Sequence, residues 1–174
     1  LEEQTDEKLM AEVAKGDLDL LKVLFERHHV HVFNFLLKMS KDKMLSEDIT
    51  QDVFYKVMKY RTSYNNGKFV SWIFTIARNS LKSHYTRSAE KHQDLDTVIH
   101  FEHDEIEEKN EEHTHLHKAL SKLETADREL LILNRFQEIK YAELAEIMGS
   151  TPGAIKTRVS RALKKLKTIY FENI

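Results

Sequence analysis

A chain of 174 residues with one proline and four glycines has little with which to reverse a β-strand. Sheets need a turn every few residues, and turns draw on Gly, Pro, Asn and Asp. Apolar residues are plentiful, 41% of the chain. They recur at intervals of three and four, the spacing of helices with one buried face. The reading is an all-α protein, and the length admits two small helical domains.

Residues 6–39 read as two helices broken at Gly16-Asp17. Leu9, Met10, Val13 and Ala14 give the first apolar set, and Leu20, Leu21, Leu24, Phe25, Val32, Phe33, Leu36 and Leu37 the second. A polar break from Ser40 to Ser46 precedes a helix expected from about Glu47, with Ser46 as its N-cap. Tyr64-Asn65-Asn66-Gly67 has the chemistry of a loop. A fourth helix is expected from about Phe69 to Tyr85. Residues 88–112 are polar, acidic and weakly periodic, and read as a flexible linker. The expected organisation is therefore a domain over 1–87, a linker over 88–112 and a second domain over 113–174. In the second, Thr125 is expected to cap a helix carrying Leu130, Leu131, Leu133 and Phe136. A short helix from Tyr141 ends at Gly149, and Thr151 caps a last helix with Pro152 at its first position, where the missing N–H is harmless.

The net charge of -2 conceals a pattern. Residues 88–117 hold only Lys91 and Lys109 against ten acids. Two other stretches hold no acid at all. From Val53 to Ala89 stand Lys56, Lys59, Arg61, Lys68, Arg78, Lys82 and Arg87, interleaved with aromatics. From Ile147 to Phe171 stand Lys156, Arg158, Arg161, Lys164, Lys165 and Lys167. Two separated basic blocks predict two contacts with a polyanion.

The order of short helix, Gly149 turn, cap and basic helix is that of a helix-turn-helix. At about 100° per residue, Ile155, Val159, Ala162, Leu163, Leu166 and Ile169 fall in one arc and the cations outside it. Such a helix packs on one side and offers cations and hydroxyls to duplex DNA on the other. Lys156, Thr157, Ser160 and Arg161 are placed for base edges, Arg158 and Lys165 for phosphates, with Lys164 on the same polar face. The upstream stretch suits unpaired DNA, because stacking on aromatics requires exposed base faces. Phe54, Phe69 and Trp72 read as core, and Tyr60, Tyr64 and Tyr85 as exposed. Asn65, Asn66 and Lys68 sit where they can hydrogen-bond an extruded base.

The segment Ser46-Glu-Asp-Ile-Thr-Gln-Asp-Val-Phe54, followed by Phe69-Val-Ser-Trp-Ile-Phe-Thr-Ile-Ala-Arg-Asn79, resembles region 2 of bacterial RNA polymerase sigma factors. Leu123 to Leu166, with Tyr141-Ala-Glu-Leu-Ala145 and Gly153-Ala-Ile-Lys-Thr-Arg-Val-Ser-Arg-Ala162, resembles region 4. The ordered pair with no folded domain between is similar to the extracytoplasmic-function class. The resemblance implies a factor that binds core RNA polymerase and directs it to promoters. It implies that Asp48, Gln51 and Asp52 face the polymerase clamp helices, and that the polymerase flap is a further contact. It implies that Lys56, Arg61, Tyr64, Asn65, Asn66, Lys68, Arg78 and Asn79 lie by the melted minus-ten strand. The helix from Pro152 would read the minus-thirty-five duplex. An anti-sigma factor, often membrane-anchored in this class, would restrain it. The sequence departs from the family at Lys140, where a Ser or Thr often precedes the tyrosine, and at Ala154, where Thr is usual.

Other function classes find less footing. No Walker loop, GxGxxG or nucleophile elbow is present, so no enzyme, no small-molecule substrate and no cofactor are expected. Cysteine is absent. Alternation at His113, His115 and His117 does not give the i, i+4 spacing of helical metal ligands, His92, His100 and His103 lie in the acidic linker, and the histidines read as solvated with no metal site. No apolar run of membrane-spanning length and no leader precede the first helix, so the cytoplasm is expected. A helix-turn-helix regulator that binds duplex DNA without acting as a sigma subunit is the alternative. It would leave the acid-free aromatic stretch without a role.

Overall fold

The structure, a computed structural model, describes residues 3–93 and 111–172. Eight α-helices and no strand occur among the described residues, which divide into two compact units. The first contains α1 (Asp6–Ala14), α2 (Leu21–Ser40), α3 (Lys43–Lys59) and α4 (Phe69–Gln93). The second contains α5 (Glu111–Ser121), α6 (Thr125–Leu131), α7 (Tyr141–Met148) and α8 (Pro152–Glu172).

In the first unit α3 packs between α2 and α4. The core joins Leu9, Met10 and Val13 of α1 to Leu24, Val32, Phe35 and Leu36 of α2, Val53 and Val57 of α3, and Phe69, Ile73 and Ala77 of α4. All of these are fully buried. Phe35 and Phe74 meet edge-on at 5.8 Å, a favoured aromatic geometry. Phe54 and Trp72 are only half-buried.

Several boundaries differ from the sequence reading. The break before α3 is Lys41-Asp42: Lys41 stands at φ 59° and closes α2 through its N–H to Leu37 C=O at 2.8 Å. Asp42 caps α3, accepting the Leu45 N–H at 3.0 Å. Ser46 is therefore not a cap but a buried helical residue, its hydroxyl donating to Asp42 C=O at 2.6 Å. At the other end, α4 passes the expected stop at Tyr85 and includes 88–93. Residues 111 and 112 belong to α5. Of the segment read as linker, 94–110 lie outside the described residues, as do His100 and His103.

In the second unit, α6 and α7 both pack on α8. Leu120, Leu130, Leu131, Leu133, Leu144, Ile155, Val159 and Ala162 form the core. Thr125 is the first residue of α6, not its cap; the capping position is Glu124, whose side chain makes no capping bond. After α6 the chain widens into a π-helical segment, Ile132–Phe136, then turns at Glu138 with φ 55°. The Asn134 amide donates to Ile139 C=O at 2.9 Å and fixes that turn ahead of α7. His113, His115 and His117 lie on α5. His115 Nε2 sits 2.9 Å from Tyr170 O, and the His117 ring lies 6.4 Å from that of Phe136. Both therefore pack against neighbouring segments, a correction to the solvated reading.

Candidate nucleic-acid interface

The helix-turn-helix forms where the sequence places it. Gly149, at φ 64°, adopts the left-handed conformation that ends a helix, and Ser150 N–H returns to Ala145 C=O at 2.9 Å. Lys140, at the cap of α7, makes no side-chain capping bond. Thr151 Oγ1 accepts the Ala154 N–H at 3.2 Å, so α8 starts capped. Ile155, Val159 and Ala162 are buried to 1% exposure or less and fix the helix's rotation. Lys156, Thr157, Ser160, Arg161 and Lys164 then stand exposed on the outer side. Thr157 donates its hydroxyl to Gly153 C=O at 3.1 Å, which leaves its oxygen free to accept.

Two cations of the expected set are placed differently. Arg158 is half-buried. Lys165 Nζ bonds Asp127 Oδ2 of α6 at 2.9 Å, and this hydrogen bond and charge raise the Lys165 pKa. Beyond Arg161, Leu163, Leu166 and Tyr170 of α8 line a groove of about 710 Å³ with Leu116 of α5. Glu112, Lys164 and Lys167 are among its other lining residues.

In the first unit, the loop between the 3-10 turn Arg61–Ser63 and α4 brings Asn65, Asn66 and Lys68 together, all exposed. Asn66 turns the chain at φ 61°, a conformation that asparagine tolerates. Tyr64, expected to be exposed, is buried to 7%. Its ring lies edge-on to Trp72 at 5.3 Å and its hydroxyl donates to Gly67 C=O. Burial, and then the charges of Glu7 and Asp6, push its pKa up to about 12, so it remains a neutral donor. An apolar ring so near Phe69 and Trp72 gains more from the core than from water, and Tyr64 thereby becomes the loop's anchor. Tyr60 and Tyr85 are exposed as expected, and the Lys59 ammonium lies 5.2 Å from the Tyr60 ring centroid.

Other members of the set are tied into the fold. Lys56 Nζ bridges Asp52 Oδ2 at 2.8 Å and Ser80 Oγ at 2.9 Å, and so fastens α3 to α4. Arg61 folds back to Met58 C=O at 3.0 Å. Arg78 is half-buried on α4 and Asn79 is exposed. On α3, Asp48 and Gln51 are exposed, and Asp52 is held by Lys56. Sequence reasoning missed Met44 and Tyr55, which stand 76% and 53% exposed. Their spacing to Asp48 and Gln51, in steps of three and four, puts all four on one side of α3. It also missed Asp6 and Glu7 of α1, whose partners are distant in sequence. Among the described residues no group of three or more potential metal ligands converges.

The family model for sigma-70 region 2 matches residues 24–91, and that for sigma-70 region 4 matches 114–166. RNA polymerase sigma factor CarQ of Myxococcus xanthus is 30% identical over 168 residues, spanning 90% of this chain and 92% of that protein. ECF RNA polymerase sigma factor SigM of Bacillus subtilis is 27% identical, spanning 84% and 93%. This chain belongs to the extracytoplasmic-function class of RNA polymerase sigma factors. Sigma factors are initiation factors, and this one directs polymerase to promoters. The solved sigma factor RpoE of Bartonella quintana, in complex with the anti-sigma factor NepR, is 26% identical, with a TM-score of 0.69 over 85% of this sigma factor and 94% of that chain. The region 2 match begins within α2 and ends within α4, so it holds the loop at 64–68. The region 4 match holds the helix-turn-helix.

Proposed function

We propose that the two units divide the promoter between them. The N-terminal half of α8 reads the minus-thirty-five duplex through Lys156, Thr157, Ser160 and Arg161, with Arg158 and Lys164 on phosphates. Lys165 joins them only after leaving Asp127. The loop at 64–68 takes the melted minus-ten strand: Asn65 and Asn66 meet an extruded base and Lys68 its backbone. Tyr64 supports them from below, and Arg61, Arg78 and Asn79 border the strand's path. Lys56 acts indirectly, by holding α3 against α4. What carries this reading is the pairing of an exposed, acid-free face on a capped helix with an exposed polar loop anchored on an aromatic cluster.

The outer side of α3 supplies the contact with the clamp helices of core polymerase. Asp48 and Gln51 give polar specificity, Met44 and Tyr55 apolar area, and Asp52 orients through Lys56. The groove between α5 and α8, lined chiefly by apolar side chains with Lys164, Lys167 and Glu112 among them, receives the flap. An anti-sigma factor is a further partner, as in the RpoE complex, and would cover the same apolar surfaces. The functional units on this reading end at Gln93 and begin at Glu111. Among the described residues no helix is long and apolar enough to cross a membrane, which accords with a protein that works beside polymerase and DNA in the cytoplasm.

The test is reconstitution. The purified chain should co-elute with core polymerase and support initiation at a promoter whose start site has been mapped. In the open complex, DNA crosslinks from α8 should fall in the minus-thirty-five element and those from the loop at 64–68 in the minus-ten strand; crosslinks from either element elsewhere on the promoter would overturn this division.

A further inference from the structure

Helix α4 follows directly on the loop proposed to capture the strand. The residue before Phe69 is Lys68, a side chain with three donors and no acceptor. A cation there also faces the positive end of the helix dipole. The orphan N–H of Phe69 is nevertheless satisfied: Glu7 Oε1 accepts it at 3.2 Å, from 62 residues away in sequence. Glu7 stands in the first turn of α1, beside Asp6. Asp6 Oδ2 lies 2.8 Å from His28 Nε2, and Asp6 Oδ1 accepts from the Arg27 guanidinium at 3.0 Å, so the start of α1 is fastened to α2. Arg27 also donates to Gln4 C=O at 2.8 Å. Thus α2 holds α1, and α1 holds the end of the loop. The other end is held by Tyr64, buried against Phe69 and Trp72.

We infer that Glu7 is a positioning residue for capture of the melted strand: it caps α4 from outside, which leaves Lys68 at the loop's edge to meet nucleic acid. A loop with an ordinary Ser or Asp cap at position 68 would give up its cation. The remote cap meets both demands, and the Glu7 carboxylate sets the loop's exit while Asn65, Asn66 and Lys68 stay exposed. Helix α1 lies upstream of the stretch that the region 2 model matches, so this support comes from outside that stretch. The inference rests on the proposed role of the loop.

The experiment uses polymerase holoenzyme reconstituted with full-length variants, on a mapped promoter carrying 2-aminopurine in the minus-ten strand, whose fluorescence follows opening. Glu7→Ala removes the acceptor and is expected to slow opening about tenfold, the weight of a hydrogen bond to a charged group. Glu7→Gln keeps an acceptor and is expected to stay within about threefold of the parent. Association with core polymerase should be unchanged in both. Opening by Glu7→Ala at the parent rate overturns the inference, and so does equal loss in both variants. Should Glu7→Ala fail to fold, as judged by melting followed at Trp72, Glu7→Asp takes its place, since its carboxylate is one methylene too short to reach the Phe69 N–H: slower opening by Glu7→Asp beside near-parent Glu7→Gln supports the inference, and parent-rate opening by Glu7→Asp overturns it. Asn66→Ala separates the two levels. If it leaves opening intact, strand capture by the loop is wrong. If it slows opening while Glu7→Ala does not, only the role of Glu7 falls.

Discussion

Asp6 is a carboxylate held ionised at a helix junction. Burial works to raise its pKa; the hydrogen bond and charge of His28, and those of Arg27, outweigh burial and hold it below the usual value. A carboxylate whose pKa is lower in the folded chain stabilises the fold fully above the unfolded value, near 4, and loses that contribution as pH falls through the folded value. Asp6→Asn should therefore be less stable than the parent at pH 6, by about 1 kcal/mol, a low figure for a charged hydrogen bond because solvent reaches the site. The gap should close as pH drops below about 4. Trp72, the single tryptophan, lies in this unit, so urea unfolding followed by its fluorescence from pH 3 to 7 reports the difference. A gap that holds constant down to pH 3 would show that Asp6 is not held by its charge. On α8 the same attention to partners separates two neighbours. Lys164 is exposed at the outer face, while Lys165 is bonded to Asp127. Removing a lysine that neutralises a phosphate lowers the slope of log K against log salt by about one. Lys164→Ala should show that fall in holoenzyme binding to promoter DNA, and Lys165→Ala a smaller one. Equal falls would mean that Lys165 leaves Asp127 on binding at no cost.

At the scale of elements, what helical periodicity and turn chemistry set was legible in the sequence, and what the path of a loop or a tertiary partner sets was not. The turn at Gly149, the Thr151 cap and the buried arc of α8 are all set within a few residues, and each stands where periodicity and cap chemistry put it. Ser46 misled because a serine before an apolar run is also what a buried helix turn can hold once its hydroxyl returns to a carbonyl four residues back. Tyr64 misled because nothing local announces that Phe69 and Trp72 will fold over it. Lys56 and Lys165 count as free cations in a composition, yet Ser80 and Asp127 hold them. Lys41 is the least expected boundary residue, since a left-handed φ strains any side chain with a Cβ. Glycine relieves that strain and adds back some freedom in the unfolded chain. Lys41→Gly should thus stabilise the first unit by about 0.5–1 kcal/mol, seen as a higher urea midpoint in Trp72 fluorescence. A lower midpoint would show that the Lys41 side chain contributes more than its backbone costs.

At the scale of the whole molecule, the proposed division of the promoter gives each of the two small units one contact with DNA. Holding both on one polymerase makes the second contact effectively intramolecular, which raises occupancy without any new interaction. The two contacts should then be separable by pairing protein variants with promoter variants. Arg161→Ala removes a side chain placed for a base edge, worth about 1–3 kcal/mol of discrimination, so initiation at the native promoter should fall by roughly 5- to 150-fold. On a promoter with a scrambled minus-thirty-five element the preferred base is already gone, and the same substitution should cost little. Asn66→Ala acts on the strand that opens, so its effect should persist on the scrambled promoter and shrink on a template with an altered minus-ten element. Distant sites without shared partners are additive within a few tenths of a kcal/mol, and the double variant should therefore show the product of the two losses. If Arg161→Ala costs as much on the scrambled promoter as on the native one, α8 grips the backbone without reading the sequence. Specificity would then have to reside in the first unit, where the loop at 64–68 offers exposed polar side chains to supply it.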